Sequence, residues 1–213
     1  MPTPTLAAVP LRAPGVGKTR LASVLDPAQR ARLAGAMLGD VARALGDSAI
    51  AGIVVAAGGP PAAAAAAALG LEVALDPAEG RGLDTVIAAA VGTRARTHDV
   101  LVVAADLPCL TGAEIDTVLD TDAEVVIAPT TGGGTGGLLR RPGTRMATAY
   151  GPGSAARHLE LARAAGVRAV TRHLDGFTHD VDTFTDLIAL HEVELGAATA
   201  AVLPSMLGTR AAG

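Results

Sequence analysis

Aromatic side chains are almost missing from this chain: its 213 residues include no Trp, one Tyr and two Phe. Any core must therefore be packed by Ala, Val, Leu and Ile. The length suits one domain, since domains run roughly 100–200 residues, and it can bury a core without covalent staples. Cysteine is down to one, Cys109. That excludes a disulfide framework and a Cys-based zinc site, and leaves the thiol as a small buried hydrophobe. An excess of positive charge is also missing. Lys+Arg number 17 against 21 Asp+Glu, a formal net charge of −4, whereas nucleic-acid and anionic-membrane binders need a basic face. Long apolar runs are absent as well. Gly, Pro or charge breaks each one, and the alanine run Ala62 to Ala68 falls far short of the roughly 20 residues of a spanning helix. No basic segment leading into an apolar one opens the sequence, so no signal peptide is expected and the chain reads as cytoplasmic.

Lysine is the scarcest charge. Lys18 is the single lysine, and it lies inside Gly15-Val16-Gly17-Lys18-Thr19-Arg20. Chance is one explanation. The other is that this position needs a compact ammonium rather than a guanidinium fork.

What is present is an alternation of strands and helices. Leu6 to Val9, Ile50 to Ala57, Leu71 to Leu75, Val100 to Ala105, Glu124 to Ala128, Leu138-Leu139 and Val167 to Val170 read as strands. Helices are expected from Asp26 to Leu45, with Asp26-Pro27 as cap and first residue, along the alanine run, and from Leu83 to Thr97. A further helix opens at the capping box Thr111-Gly112-Ala113-Glu114. Others are expected from Ala155 to Ala165 and from Phe184 onward, the last capped by Asp182-Thr183. Thr130 to Gly137 reads as a glycine-rich loop, and the residues from Pro204 as a tail. The pattern predicts one α/β domain over residues 1–203, a mixed but mainly parallel sheet with helices on both faces. Ligands of such sheets lie at the carboxyl ends of the strands.

Four constellations fall at such ends. The loop from Arg12 to Arg20 contains Gly17-Lys18-Thr19, but Arg12 stands where a P-loop needs its first glycine, and Pro10 and Pro14 remove amide donors. What remains is a glycine-containing loop whose Arg12, Lys18 and Arg20 can hold a polyphosphate, or else a solvated basic loop. Asp106 follows the strand Val100 to Ala105 and is either a magnesium ligand or a turn residue. Asp180 and Asp182 lie two apart, on the same side of an extended chain. With Asp106 they make a set suited to magnesium and phosphate chemistry, although Asp182 also fits a helix cap. Gly134-Thr135-Gly136-Gly137 and Gly151-Pro152-Gly153-Ser154 are anion-binding loops or plain turns. The second opens a helix, where amides bind a phosphate or carboxylate and Ser154 caps or ligates. The histidines form no metal cluster, and His158 reads as structural or superficial.

Taken in order, Val9-Pro10-Leu11-Arg12, Gly17-Lys18-Thr19-Arg20-Leu21, Asp106-Leu107-Pro108, Gly134-Thr135-Gly136, Gly151-Pro152-Gly153-Ser154 and Asp180-Val181-Asp182-Thr183 resemble the 2-phospho-L-lactate and phosphoenolpyruvate guanylyltransferases of coenzyme F-420 biosynthesis. The resemblance spans about Leu6 to Leu190. It implies a Rossmann-like nucleotidyltransferase fold of the glycosyltransferase-A type. It further implies magnesium on Asp106, Asp180 and Asp182, and GTP phosphates on Lys18 and its loop, including Gly15, Gly17 and Arg20. Gly151 and Ser154 would hold a phosphorylated three-carbon acid, with Arg12 and Gly137 also on the acceptor. Lys18 and Asp106 would be the catalytic pair. Relatives usually carry Lys at Arg12 and often Thr or Asn at Gly137. At Asp84 they usually carry Asn or Ser, and an Asp there could accept from the N1–H and amino group of guanine.

The expected partners are GTP and the acid, with no nucleic acid or membrane, and a homodimer is left open. The expected reaction is attack of an acceptor phosphate oxygen on the α-phosphorus of GTP. Phosphoenolpyruvate is favoured over 2-phospho-L-lactate by the Arg- and Ala-rich style of the chain. 3-Phosphoglycerate or molybdopterin acceptors, a non-catalytic nucleotide-binding module and a P-loop kinase are the alternatives. The molybdopterin transferases usually carry a Leu-Ala-Gly-Gly run, which is absent here.

Overall fold

The computed structural model describes residues 3–12, 18–75 and 82–207. Seven strands form one sheet: β1 (Thr5–Leu11), β2 (Gly52–Ala57), β3 (Glu72–Leu75), β4 (Asp99–Val103), β5 (Val125–Pro129), β6 (Thr135–Arg140) and β7 (Ala169–Thr171). Their order is β3-β2-β1-β4-β6-β5-β7. All pairings are parallel except those of β6, which runs against both β4 and β5. This is the mixed, mainly parallel sheet that the alternation predicts.

Period-two alternation divides the strand residues between two apolar layers. Ala7, Val9, Val55, Leu101, Val103, Val126 and Leu139 face one side. There they meet α1 (Pro27–Gly46), α2 (Pro60–Ala67), α4 (Gly112–Leu119) and α6 (Asp175–Thr178). Leu6, Ala8, Val54, Val100, Val102, Ile127 and Leu138 face the other, against α3 (Leu83–Val91) and α5 (Ser154–Ala164). Strands covered on both sides read as continuous hydrophobic runs, as the fully buried β4 does. A third cluster joins the outer face of α1 to α7 (Phe184–Ala189) and α8 (Ala197–Leu207). Among the described residues no single helix is long and apolar enough to cross a membrane.

Local chemistry fixes the helix starts. Asp26 and Gln29 form a reciprocal capping box on α1, Thr111 and Glu114 on α4, and Thr183 and Asp186 on α7, which satisfies amides that a helix end leaves orphaned. The helix expected over Leu83 to Thr97 tightens at Gly92 into a 3-10 segment, Gly92–Arg96. Pro204 does not begin a tail: it lies inside α8, flanked by buried Leu203 and Met206. A carboxylate far away in sequence supports that helix, since Asp40 of α1 accepts from the amides of Ala198 and Thr199 at 2.9 and 2.8 Å.

The largest departure concerns the glycines before Leu138. Gly136 and Gly137 are not loop residues. They belong to β6 and are buried. Phe177, one of the two phenylalanines, is fully buried directly over them. A Cβ on Gly137 would stand 2.6 Å from the Phe177 ring, and one on Gly136 2.5 Å from its carbonyl oxygen. These glycines make a seat for a ring, and Gly137 does not line the cleft described below. Gly137→Ala is therefore expected to cost about 1–3 kcal/mol of stability, as over-packing of a filled core does. Urea denaturation measures it, and an unchanged midpoint would refute the account.

Candidate active site

β1, β4 and β5 end at the same edge of the sheet, where the reversed β6 begins. The segments beyond these ends enclose a cleft of about 760 Å³. It is lined by Arg12 and Arg20 from the β1 side, Asp106 after β4, Thr130 and Thr135 between β5 and β6, Gly151 and Ser154 at α5, and Asp180 to Asp182 after α6. Residues scattered over most of the chain thus converge, as expected at the carboxyl edge of such a sheet.

Lys18 sits at the centre of the charge arrangement. Its ammonium donates to Asp106 Oδ2 and, at 3.0 Å, to Asp182 Oδ1. These partners are 88 and 164 residues away in sequence. The Lys18 backbone is left-handed (φ 57°), the one positive φ among the described non-glycine residues. Such a conformation costs roughly 1–2 kcal/mol for a residue with a Cβ, and the two ion pairs hold it there. Burial works to lower the Lys18 pKa, but Asp106 and then Asp182 outweigh it, so the ammonium is held above its ordinary value and stays charged.

Asp180 is the third carboxylate. Burial raises its pKa, the charges of Asp106 and Asp182 raise it further, and Thr130 and Lys18 only partly offset them. Val181 between the two aspartates is fully buried. It anchors the strand-like segment while its neighbours border the cleft.

The expected three-carboxylate cage is not assembled. Among the described residues no group of three or more His, Cys, Asp or Glu side chains is arranged to hold a metal ion. The physical reason is that the Lys18 ammonium occupies the space between Asp106 and Asp182 and neutralises them. The donor chemistry still suits a hard cation. Burial first, and then the charges of Asp106 and Asp182, raise Asp180 despite the nearby ammonium.

The other predicted residues divide. Arg12 and Arg20 are exposed at the cleft. Gly15 and Gly17 lie outside the described residues. Asp84 is not among the cleft-lining residues: it sits in the first turn of α3, and its carboxylate accepts from the Thr148 hydroxyl. That position gives no support to a guanine-reading role. Ser154 is not the cap of α5. The cap is Gly153, left-handed at φ 68°, and Ser154 is the first helical residue, 1% exposed. Gly151 (φ 119°) and Gly153 shape the turn. Arg157 clamps it by donating to the carbonyls of Pro152 and Ala149. The amides of Ser154 and Ala155 donate to the Gly151 and Gly133 carbonyls at 3.0 and 3.3 Å, so they are not free for an anion.

Thr135 stands out in the sequence only as part of a glycine-rich loop, and His158 escapes sequence reasoning as a site member. Thr135 Oγ1 lies 2.8 Å from Ser154 Oγ and 3.0 Å from His158 Nδ1. The Ala149 amide donates to His158 Nε2 at 3.0 Å, and Tyr150 packs edge-on against the imidazole. The available signal was the i, i+4 spacing of Ser154 and His158, which puts both on one helix face.

The family comparison bears on this arrangement. The family described as guanylyl transferase CofC like matches residues 5–199. The chain belongs to that family. It is 37% identical to a phosphoenolpyruvate guanylyltransferase of Nocardia farcinica over 87% of this chain and 84% of that one. It is 33% identical to a 2-phospho-L-lactate guanylyltransferase of Methanothermobacter thermautotrophicus, over 88% and 85%. A 3-phospho-D-glycerate guanylyltransferase of Phenylobacterium zucineum is 32% identical over 90% and 92%. Two solved structures share the fold. One is a candidate nucleotide-diphospho-sugar transferase of Desulfovibrio desulfuricans G20, with a TM-score of 0.74, 18% identity and coverage of 95% and 97%. The other is CMP:2-keto-3-deoxy-manno-octonic acid synthetase complexed with CTP, at 0.57, 16%, and 89% and 98%. The nucleotidyltransferase fold expected from the sequence is therefore the one observed.

His158 gives the site a measurable signature. Its pKa is pushed down to about 4 by burial, with Asp84 opposing and Arg140 and Arg157 reinforcing the fall. Between its ordinary 6.5 and about 4, the unfolded chain takes up this proton while the folded chain does not. Stability is thus expected to fall as pH drops through that window, with no further loss from this group below it. Urea midpoints between pH 4 and 7 check this. The part of the slope due to His158 should vanish in His158→Gln, and an identical slope in both proteins would refute it.

Proposed function

We propose that the chain transfers GMP from GTP to the phosphate of a phosphorylated three-carbon acid and releases pyrophosphate. The observation that carries this reading is one cleft lined by Asp106, Asp180, Asp182, Thr135 and Ser154, with the chain's only lysine bridging Asp106 and Asp182. Family membership supports the reaction class. Phosphoenolpyruvate is the favoured acceptor, because a relative named for it has 37% identity, against 33% and 32% for relatives named for 2-phospho-L-lactate and 3-phospho-D-glycerate.

An acceptor phosphate oxygen attacks the α-phosphorus of GTP, and the bond to the bridging oxygen of the β-phosphate breaks. A phosphomonoester has its second pKa at roughly 6, so the nucleophile is already ionised at neutral pH. No general base is required, and the imidazole of His158 is already tied to Ala149 and Thr135. The work is positioning and neutralisation of charge. Lys18, held protonated, would stabilise the negative charge that gathers on the phosphates. Arg12 and Arg20 line the same side and would receive the polyphosphate. Ser154 and Gly151 would seat the acid.

Magnesium belongs to this proposal. Asp106, Asp180 and Asp182 would hold it, once Lys18 transfers its contact from carboxylate to phosphate. When bound, the ion supplies charge neutralisation and orientation of the phosphate oxygens. The same reading puts the enzyme in the cytoplasm, where nucleoside triphosphates are found.

Pyrophosphate release is the test, with GTP and magnesium and each of phosphoenolpyruvate, 2-phospho-L-lactate and 3-phosphoglycerate, and with ATP and CTP as controls. Release is expected with GTP only, and to depend on the acid. Asp106→Ala should lower turnover by a hundredfold or more, the order of loss when one charge-stabilising group is removed, with a cooperative melt retained. Full activity in Asp106→Ala would refute the role given to that carboxylate. Acid-independent or absent release in the wild type would refute the transferase reading.

A further inference from the structure

The hydrogen-bond chain from Ala149 to Ser154 has a direction that its atoms dictate. The Ala149 amide can only donate, so His158 Nε2 must be an acceptor without a proton. A neutral imidazole then carries its proton on Nδ1, and Nδ1–H donates to Thr135 Oγ1. The Thr135 and Ser154 hydroxyls have two protons between them. Their mutual contact at 2.8 Å uses one. Because His158 is a donor, it consumes neither, and the second proton is left to whatever enters the cleft that both residues line. The opposite tautomer would reverse this. Thr135 would donate to Nδ1, Ser154 would donate to Thr135, and the pair would offer the cleft only lone pairs.

We propose that His158 is a positioning residue that fixes the Thr135–Ser154 pair as a hydrogen-bond donor toward an anionic oxygen of the acceptor acid. The inference rests on the reading that Ser154 seats the acceptor. Two features give the hydroxyl proton weight. The amides of Ser154 and Ala155 at the start of α5 are already engaged. The guanidinium of Arg157 is spent on the Pro152 and Ala149 carbonyls. The hydroxyl pair is the side-chain donor at this corner, and the tautomer decides whether it is offered. The surroundings hold His158 in place: it is fully buried, and Tyr150 stands edge-on 4.9 Å away between ring centres.

Steady-state kinetics of three variants, with phosphoenolpyruvate and GTP varied separately, test the idea. Ser154→Ala and His158→Gln should each raise KM for phosphoenolpyruvate by about 10- to 100-fold, the range for losing a hydrogen bond to a charged group. KM for GTP should stay within about threefold on the same scale. Gln preserves an acceptor for Ala149 but puts no donor where Nδ1–H stood. Asn does the converse, so His158→Asn should keep the low KM. A purely structural role would not separate Asn from Gln in this way. If Ser154→Ala raises the acceptor KM and His158→Gln does not, or if the GTP KM rises instead, the relay is wrong while the transferase stands. If the wild type shows no acceptor-dependent turnover, the underlying reading is wrong. Nitrogen-15 spectra of the wild-type imidazoles depend on no variant folding. A protonated Nδ1 and bare Nε2 on His158 are expected, and a proton on Nε2 would overturn the proposal.

Discussion

Phe177 resting on Gly136 and Gly137 is the contact on which the site depends. In a chain with so few rings, this side chain fills the space over β6 that aliphatic residues would otherwise have to share. It fits because the strand beneath it carries two bare backbones, on which a Cβ would meet the ring or its carbonyl at 2.6 and 2.5 Å. The consequence reaches past packing. Phe177 belongs to the short α6, and the chain leaves α6 directly into Asp180 and Asp182. Supporting bonds reinforce the anchorage: the Gly176 amide donates to Glu114 at 2.7 Å, and the Thr131 amide to the Thr178 carbonyl at 3.0 Å. Close approach at the sheet is thus converted into a fixed address for two carboxylates.

From that address, electrostatics completes the arrangement. A lone ammonium on a left-handed residue bridges Asp106 and Asp182, tying the segment after β1 to the ends of β4 and α6. Burial alone would favour loss of its proton, and two neighbouring carboxylates reverse that tendency. The same carboxylates act in the opposite sense on Asp180. Two groups of residues at the site therefore have different characters. One is dense with charge and suited to phosphates. The other, built from Thr135, Ser154 and His158, is neutral and works through the direction of its hydrogen bonds.

The sequence made much of this legible. Capping boxes at Asp26, Thr111 and Thr183 mark helix starts by local chemistry, and doubly buried strands leave runs such as that of β4. The rarity of lysine singled out Lys18 against a background of arginine. Legibility failed where glycine has two meanings. Gly136 and Gly137 carry the composition of a loop, yet their bareness serves a ring more than 30 residues downstream. It failed also for Asp84, whose carboxylate is taken up by Thr148, and for His158, whose importance lies in which nitrogen bears the proton.

By itself, then, the sequence determined the α/β alternation, the bounds of most elements, the strand ends at which chemistry could occur and the family to which the order of motifs points. These are properties of periodicity, capping and short-range spacing, which are written locally. Only the tertiary structure decided that Lys18 stands between Asp106 and Asp182, that a glycine pair belongs to the sheet, and that a helix N-terminus has already spent its first amides. Those outcomes depend on which groups compete for the same partner in space, and a linear chain does not display that competition.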